Sequence, residues 1–185
     1  MRGQSSFKGT GFELVKEYGG GTGKRKIQRP FSRRKPLHIT MRAEQAQGKW
    51  SFVKHRAAIF FLIRETIART GVKISHLSIN GNHIHFLLSA KERKQMQKFL
   101  RILPGRIAMN ITGARKGKPL LKRFWDEVAF SRIVEIGRDF RNVVNYIHRN
   151  ILETLGLIPY QVRGRRPLNG IASSLRSSQR QVCRQ

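Results

Sequence analysis

Four residues of this chain have types and spacing that can do chemistry: His83 and His85, and, much later, Tyr146 and Asn150. The histidines lie in SINGNHIHFLLSA, Ser78 to Ala90, a run that otherwise reads as a buried strand. Side chains alternate across a strand, so His83, His85 and Leu87 share one face while Ile84, Phe86 and Leu88 form the natural core face. Two imidazoles presented side by side can bind one metal ion. The same pattern also suits histidines that merely cap hydrogen bonds at a sheet surface. In RDFRNVVNYIHRNILETLG, Phe140, Val143, Val144, Ile147 and Ile151 recur at helical spacing as a buried stripe. Tyr146 lies about 100° from Ile147, and Asn150 is one turn further along on the same side. An amide oxygen suits a hard cation, and a tyrosine hydroxyl can attack phosphorus. Alternatively, Tyr146 is an interfacial aromatic and Asn150 a polar residue near a helix end.

These residues need elements to hold them. PLHITMR, Pro36 to Arg42, reads as a first strand. Trp50 to Arg69 reads as an amphipathic helix through Val53, Ala57, Phe60, Phe61, Ile63 and Ile67, stopped at Gly71. VKISHLSI and HIHFLLS form two strands around NGN, where Asn80-Gly81 signals a tight turn. A helical segment from Lys91 to about Ile111 carries Met96, Phe99, Leu100, Leu103 and Ile107, and Pro104 is expected to kink or divide it. VAFSRIVEI supplies a fourth strand and Arg138 to Leu155 a last helix. The order β-α-β-β-α-β-α predicts an α+β fold, a ferredoxin-like split βαβ antiparallel sheet with an additional C-terminal helix. Helices cover one face of such a sheet, and the other can hold a site.

Charge narrows the partners. The chain has 185 residues with 38 Lys and Arg against 10 Asp and Glu, a formal net charge of +28 that points first to nucleic acid. A basic membrane-surface protein competes, but no run approaches the roughly 18 apolar residues of a spanning helix. The N-terminus lacks the apolar core of a signal peptide, so the expected location is cytoplasmic. A single cysteine, Cys183, excludes an internal disulfide and a cysteine-based zinc site. GGGTGK lacks the spacing of a phosphate-binding P-loop. Residues 1–35 read as a flexible basic arm, 36–160 as the folded domain that holds the candidate site and 161–185 as a basic tail.

NGNHIHFLL resembles the MPNHVHLL segment of single-tyrosine HUH transposases, and NYIHRNILETLGLIP resembles the YIHxNPVxAGLV segment of REP-associated tyrosine transposases. RFWDEVAFSRIV is similar to the tryptophan-containing segment before the family's last strand, and the likeness runs loosely from Pro36 to Tyr160. Ile151 replaces the family's proline, Asn80-Gly81 replaces its Met-Pro, and Asp126 and Glu127 add negative charge after Trp125. The resemblance implies a nuclease that binds single-stranded DNA near a hairpin and holds the 5′ phosphate on tyrosine. His83, His85 and Asn150 would then be metal ligands and Tyr146 the nucleophile, with Mg²⁺ or Mn²⁺ fitting better than structural zinc.

It also implies a bacterial protein associated with the nucleoid when bound to DNA, and a homodimer is an open possibility. Arg33, Arg34, Lys35, Arg123, Arg149, Arg163, Arg165 and Arg166 are candidate phosphate contacts. His148 projects away from Tyr146 and suits solvent or DNA. Trp125 reads first as a core anchor and second as a base-stacking platform. His38 and His76 fall in strands and could face a site, but isolated histidines of this kind read first as structural. Two other readings stay open: a non-catalytic DNA- or RNA-binding protein on the same sheet, and a replication-initiator or relaxase-type HUH nuclease.

Overall fold

The computed structural model describes residues 18–21 and 28–161. Its sheet has five strands: β1 (Tyr18–Gly21), β2 (Leu37–Arg42), β3 (Lys73–Ile79), β4 (His83–Ser89) and β5 (Val128–Ile133). Their spatial order is β1-β5-β2-β4-β3, with every pair antiparallel. Helices α1 (Arg56–Thr70) and α2 (Arg93–Thr112) join β2 to β3 and β4 to β5, and α3 (Arg138–Thr154) follows β5. The four strands read from the sequence thus form the ferredoxin-like split βαβ sheet.

The fifth strand corrects the boundary of the flexible arm. Residues 18–21 pair with β5, Tyr18 opposite Arg132, and Arg29 is buried with its guanidinium donating to Ala129 O and, at 2.9 Å, to Ser131 Oγ. YGGG carries no side-chain alternation, so nothing in its pattern announced a strand.

Alternation sorts the sheet into two faces. Leu37, Ile39 and Met41 of β2 and Ile84, Phe86 and Leu88 of β4 enter the main core with Phe52, Met96, Phe99, Leu103 and Ile107. The buried face of α1 is Ile59, Leu62, Ile63 and Thr66, not the stripe expected through Phe60 and Phe61, which is 61% exposed. Phe60 instead lies under the Arg56 guanidinium at 5.6 Å. Helix α1 also begins six residues later than expected, at Arg56 rather than Trp50. Phe52 is pinned outside the helix, its ring fully buried and its N–H bonded to Gly81 O at 2.9 Å.

Of the two outcomes expected at Pro104, division does not occur: α2 continues through it as one helix. A capping box of Glu92 and Gln95 starts it, and Trp125 Nε1 donates to Pro104 O at 3.0 Å. The β3–β4 turn is held from outside. Gly81 O accepts the Phe52 N–H, Asn82 O accepts the Ala43 N–H at 2.9 Å, and Gly81 has no need of a positive φ.

The opposite face is covered by α3 alone among the described helices. Leu87, Val134, Val143 and Ile147 form a small second cluster, with Phe140, Val144 and Ile151 half-buried around it. The helix is tied down at both ends. Arg132 on β5 donates two hydrogen bonds to the Asp139 carboxylate, at 2.8 and 2.9 Å, and Asp139 also accepts the Glu135 N–H. At the far end Thr154 Oγ1 donates to Asn80 Oδ1 at 2.6 Å, which also accepts Ser78 Oγ–H.

Candidate active site

The register of the central strands decides what surrounds the histidines. His85 lies opposite Thr40 on β2 and Ser78 on β3, and His83 lies opposite Arg42. His38, two residues before Thr40, faces the same way. Helix α3 then lays Tyr146 across this group. Tyr146 Oη is 3.4 Å from His85 Nε2, at the long end of the hydrogen-bond range, with ring centroids 5.1 Å apart and nearly perpendicular. His83 and His85 have centroids 4.9 Å apart. Asn150, buried one turn along, donates Nδ2 to Tyr146 O at 2.7 Å, and its Oδ1 is the acceptor end of the amide.

Proton positions follow from the partners. His83 Nδ1 is 2.8 Å from Asn82 Oδ1, an acceptor, so the ring proton sits on Nδ1 and the lone pair on Nε2. His85 is buried, its Nδ1 3.0 Å from Thr40 Oγ1 and 3.3 Å from His38 Nε2. Burial pushes the His38 imidazole down to about 4, helped by the nearby Arg132 guanidinium and opposed by Asp139, so this ring is neutral at pH 7. The Arg132 hydrogen bonds hold Asp139 below the usual carboxylate range.

Among the described residues no three His, Cys, Asp or Glu side chains are grouped so as to hold a metal ion. A cation on this face would need an amide as a protein ligand beside the histidines. The donor chemistry fits: two imidazoles and one carboxamide oxygen, leaving coordination positions for other oxygen ligands.

The other sequence candidates are scattered. Arg33 and Arg34 are exposed, Lys35 pairs with Glu135 at 2.6 Å, and Arg149 pairs with Glu153 at 3.1 Å. His148 is exposed, its ring 5.3 Å from that of His76 on β3. Trp125 packs against Phe52 and Phe124, so it is an anchor and its indole N–H is already used. Asp126 is turned to Arg42 and the Glu44 N–H. Exposed Arg123 borders a cleft of about 880 Å³ on the α2 face, which none of Tyr146, His83, His85 or Asn150 lines. Arg163, Arg165 and Arg166 lie outside the described residues. Reasoning from sequence passed over Thr40 and preferred a structural role for His38, although Leu37, Ile39 and Met41 alternate cleanly enough to turn both toward the histidine face.

Residues 37–150 match the family model described as IS200-like transposase, which spans most of the chain and every residue of the candidate site. This chain belongs to the IS200-like transposase family. Its fold is similar to that of a REP-associated tyrosine transposase solved bound to a REP hairpin, at 13% identity with a TM-score of 0.57, covering 70% of this chain and 74% of that one. A candidate transposase from Deinococcus radiodurans R1 aligns at 16% identity and a TM-score of 0.43, covering 68% of this chain and 98% of that one. No curated protein matches the transposase by sequence. No helix among its described residues is long and apolar enough to cross a membrane.

Proposed function

We propose that this transposase cuts and rejoins single-stranded DNA beside hairpins, with Tyr146 as the nucleophile. The observation that carries the reading is the convergence of Tyr146 Oη on His85 Nε2, 3.4 Å apart, beside His83 and above Asn150. Family membership supports a DNA-processing enzyme, the hairpin bound to the structural relative supports the substrate, and a net charge of +28 supports a polyanionic partner.

In this reading Tyr146 Oη attacks phosphorus, a Tyr–O–P bond forms and the P–O3′ bond breaks. The phenolic proton is lost, the 3′ oxygen leaves and is protonated, and the 5′ phosphate stays on the protein. The bond energy is conserved, so another 3′ hydroxyl can reverse the step without ATP. Mg²⁺ or Mn²⁺ held by His83, His85 and Asn150 would draw charge from the phosphate oxygens and lower the repulsion felt by the nucleophile. The chain itself does the positioning. The ties at Asp139 and Thr154 fix the height of α3, and the Val143–Ile147–Leu87 contact fixes its rotation. Arginines and lysines on the arms supply affinity for backbone phosphates rather than sequence choice.

The test is Tyr146→Phe, which keeps the ring and its packing and removes only the attacking oxygen. With end-labelled single-stranded hairpin DNA, binding should stay within a few-fold of wild type while cleavage and the covalent protein–DNA adduct vanish together. Phe variants of Tyr18 and Tyr160 should still form adduct. Adduct at wild-type level in Tyr146→Phe would place the nucleophile elsewhere.

A further inference from the structure

We infer that His38 is a positioning residue: together with Thr40 it fixes the His85 ring as the tautomer that carries its proton on Nδ1, so that the Nε2 lone pair faces Tyr146. This rests on the reading of Tyr146 and His85 given above and deepens it.

The geometry argues as follows. His85 Nδ1 has two partners, Thr40 Oγ1 at 3.0 Å and His38 Nε2 at 3.3 Å. An imidazole nitrogen has one lone pair in its ring plane and can accept one such donor well. One N–H, by contrast, can be shared between two acceptors in a three-centre bond. Two partners on one nitrogen therefore favour Nδ1 as the donor and leave the lone pair on Nε2, where Tyr146 Oη lies. His38 is built for this use rather than for filling space. It is buried, and its ring makes a single hydrogen bond among the described residues, the one to His85. Its ring stacks on His85 at 5.4 Å and 28°, and meets the edge of Tyr146 at 6.0 Å. An apolar side chain would fill the same space without the cost of burying a polar ring. Outer partners of ligating histidines commonly change metal affinity or activity by about 10–100-fold when removed.

The experiment uses the full chain with isotopically labelled histidine. Two-bond ¹H–¹⁵N correlation spectra of the metal-free protein report the His85 tautomer, and Mn²⁺ titration followed by electron paramagnetic resonance reports affinity. The variants are His38→Phe/Thr40→Val, which keeps shape and removes both partners, and His38→Gln, whose amide oxygen can reach the position of the lost nitrogen. The double variant should gain a substantial Nε2–H population at His85 and bind Mn²⁺ about 10–100-fold more weakly, and His38→Gln should restore much of the wild-type tautomer. A folded double variant with unchanged tautomer and unchanged Mn²⁺ affinity would reduce His38 to packing and overturn the inference. If wild type binds no Mn²⁺ yet the tautomer still shifts in the double variant, the positioning role stands and the cation in the proposed function falls.

Discussion

The two faces of the sheet are built on different principles. On the α1–α2 face, Phe52, Phe86, Phe99, Leu103, Met96 and their neighbours form one continuous apolar core. On the α3 face, the apolar contact shrinks to Leu87, Val134, Val143 and Ile147, and the remaining space goes to His38, Thr40, His85, Tyr146 and Asn150. The first face supplies stability, so the second can carry polar groups at close quarters. A single helix can then lay Tyr146 against a rigid strand, held by a small apolar patch and two polar ties.

The sharpest way to break this division is chemical. His83→Ala removes one imidazole from the polar face and nothing from the core. If the proposed cation is held here, losing its stabilisation, worth several kcal/mol, should lower the cleavage rate roughly 100- to 1000-fold or more, and EDTA on wild type should do the same. The thermal unfolding midpoint should scarcely move. Normal cutting by His83→Ala in Mg²⁺ or Mn²⁺ would make the histidines structural and erase the chemical distinction between the faces.

The next effect is energetic and uses one kind of truncation on both sides. Leu103 and Leu87 are both fully buried. Leu→Ala in a core costs about 2–5 kcal/mol, and the cost depends on how well the site collapses. Leu103→Ala, inside the continuous core, should fall near the top of that range in urea unfolding. Leu87→Ala should fall near the bottom, because α3 can settle toward the sheet, yet it should reduce adduct formation by shifting Tyr146. Equal costs with wild-type adduct yield would show that both faces are packed alike.

Legibility from sequence followed the same division. Period-two alternation in HIHFLLS and the helical spacing of Phe140 to Ile151 separated the faces, because a side chain's direction is fixed by the local backbone. Met96, Phe99, Leu103 and Ile107 were legible for the same reason. What escaped was set by distant partners. The Gly81 carbonyl holds Phe52 outside α1, the Arg56 guanidinium covers Phe60, and β1 exists through backbone pairing that YGGG does not announce. His38 was visible by alternation but not by type, since a lone histidine in a strand gains meaning only from what α3 and β4 bring beside it.

A smaller effect tests the arms against the domain. Each phosphate neutralised on a single strand adds about −0.7 to the slope of log affinity against log salt. Removal of residues 1–17, which spares β1 and Arg29, or of 164–185 should flatten that slope by a few such steps and leave unfolding in urea unchanged. An unchanged slope in both truncations would assign DNA affinity to the folded domain alone.

The smallest effect concerns the tie at the start of α3. Arg132 holds Asp139 through two hydrogen bonds, but about a third of each side chain is exposed, 29% and 34%, so solvent screens the pair and its contribution is on the order of 1 kcal/mol. The Asp139 pKa is lowered from its ordinary 3.8, chiefly by the Arg132 hydrogen bond. Its folded form therefore binds a proton less readily than the unfolded chain. The contribution is fully present above the unfolded pKa and disappears as pH falls through the folded one. Asp139→Asn should thus cost stability at pH 7 in urea unfolding, and the gap from wild type should close progressively in acid below about pH 4. The variant should also lose adduct yield more than it loses stability, since the tie fixes where α3 begins and Tyr146 lies two turns on. A gap that stays constant down to pH 2 would mean that Asp139 acts by shape rather than charge. Unaltered adduct yield would leave the Leu87 patch and the Thr154 tie to position the nucleophile by themselves.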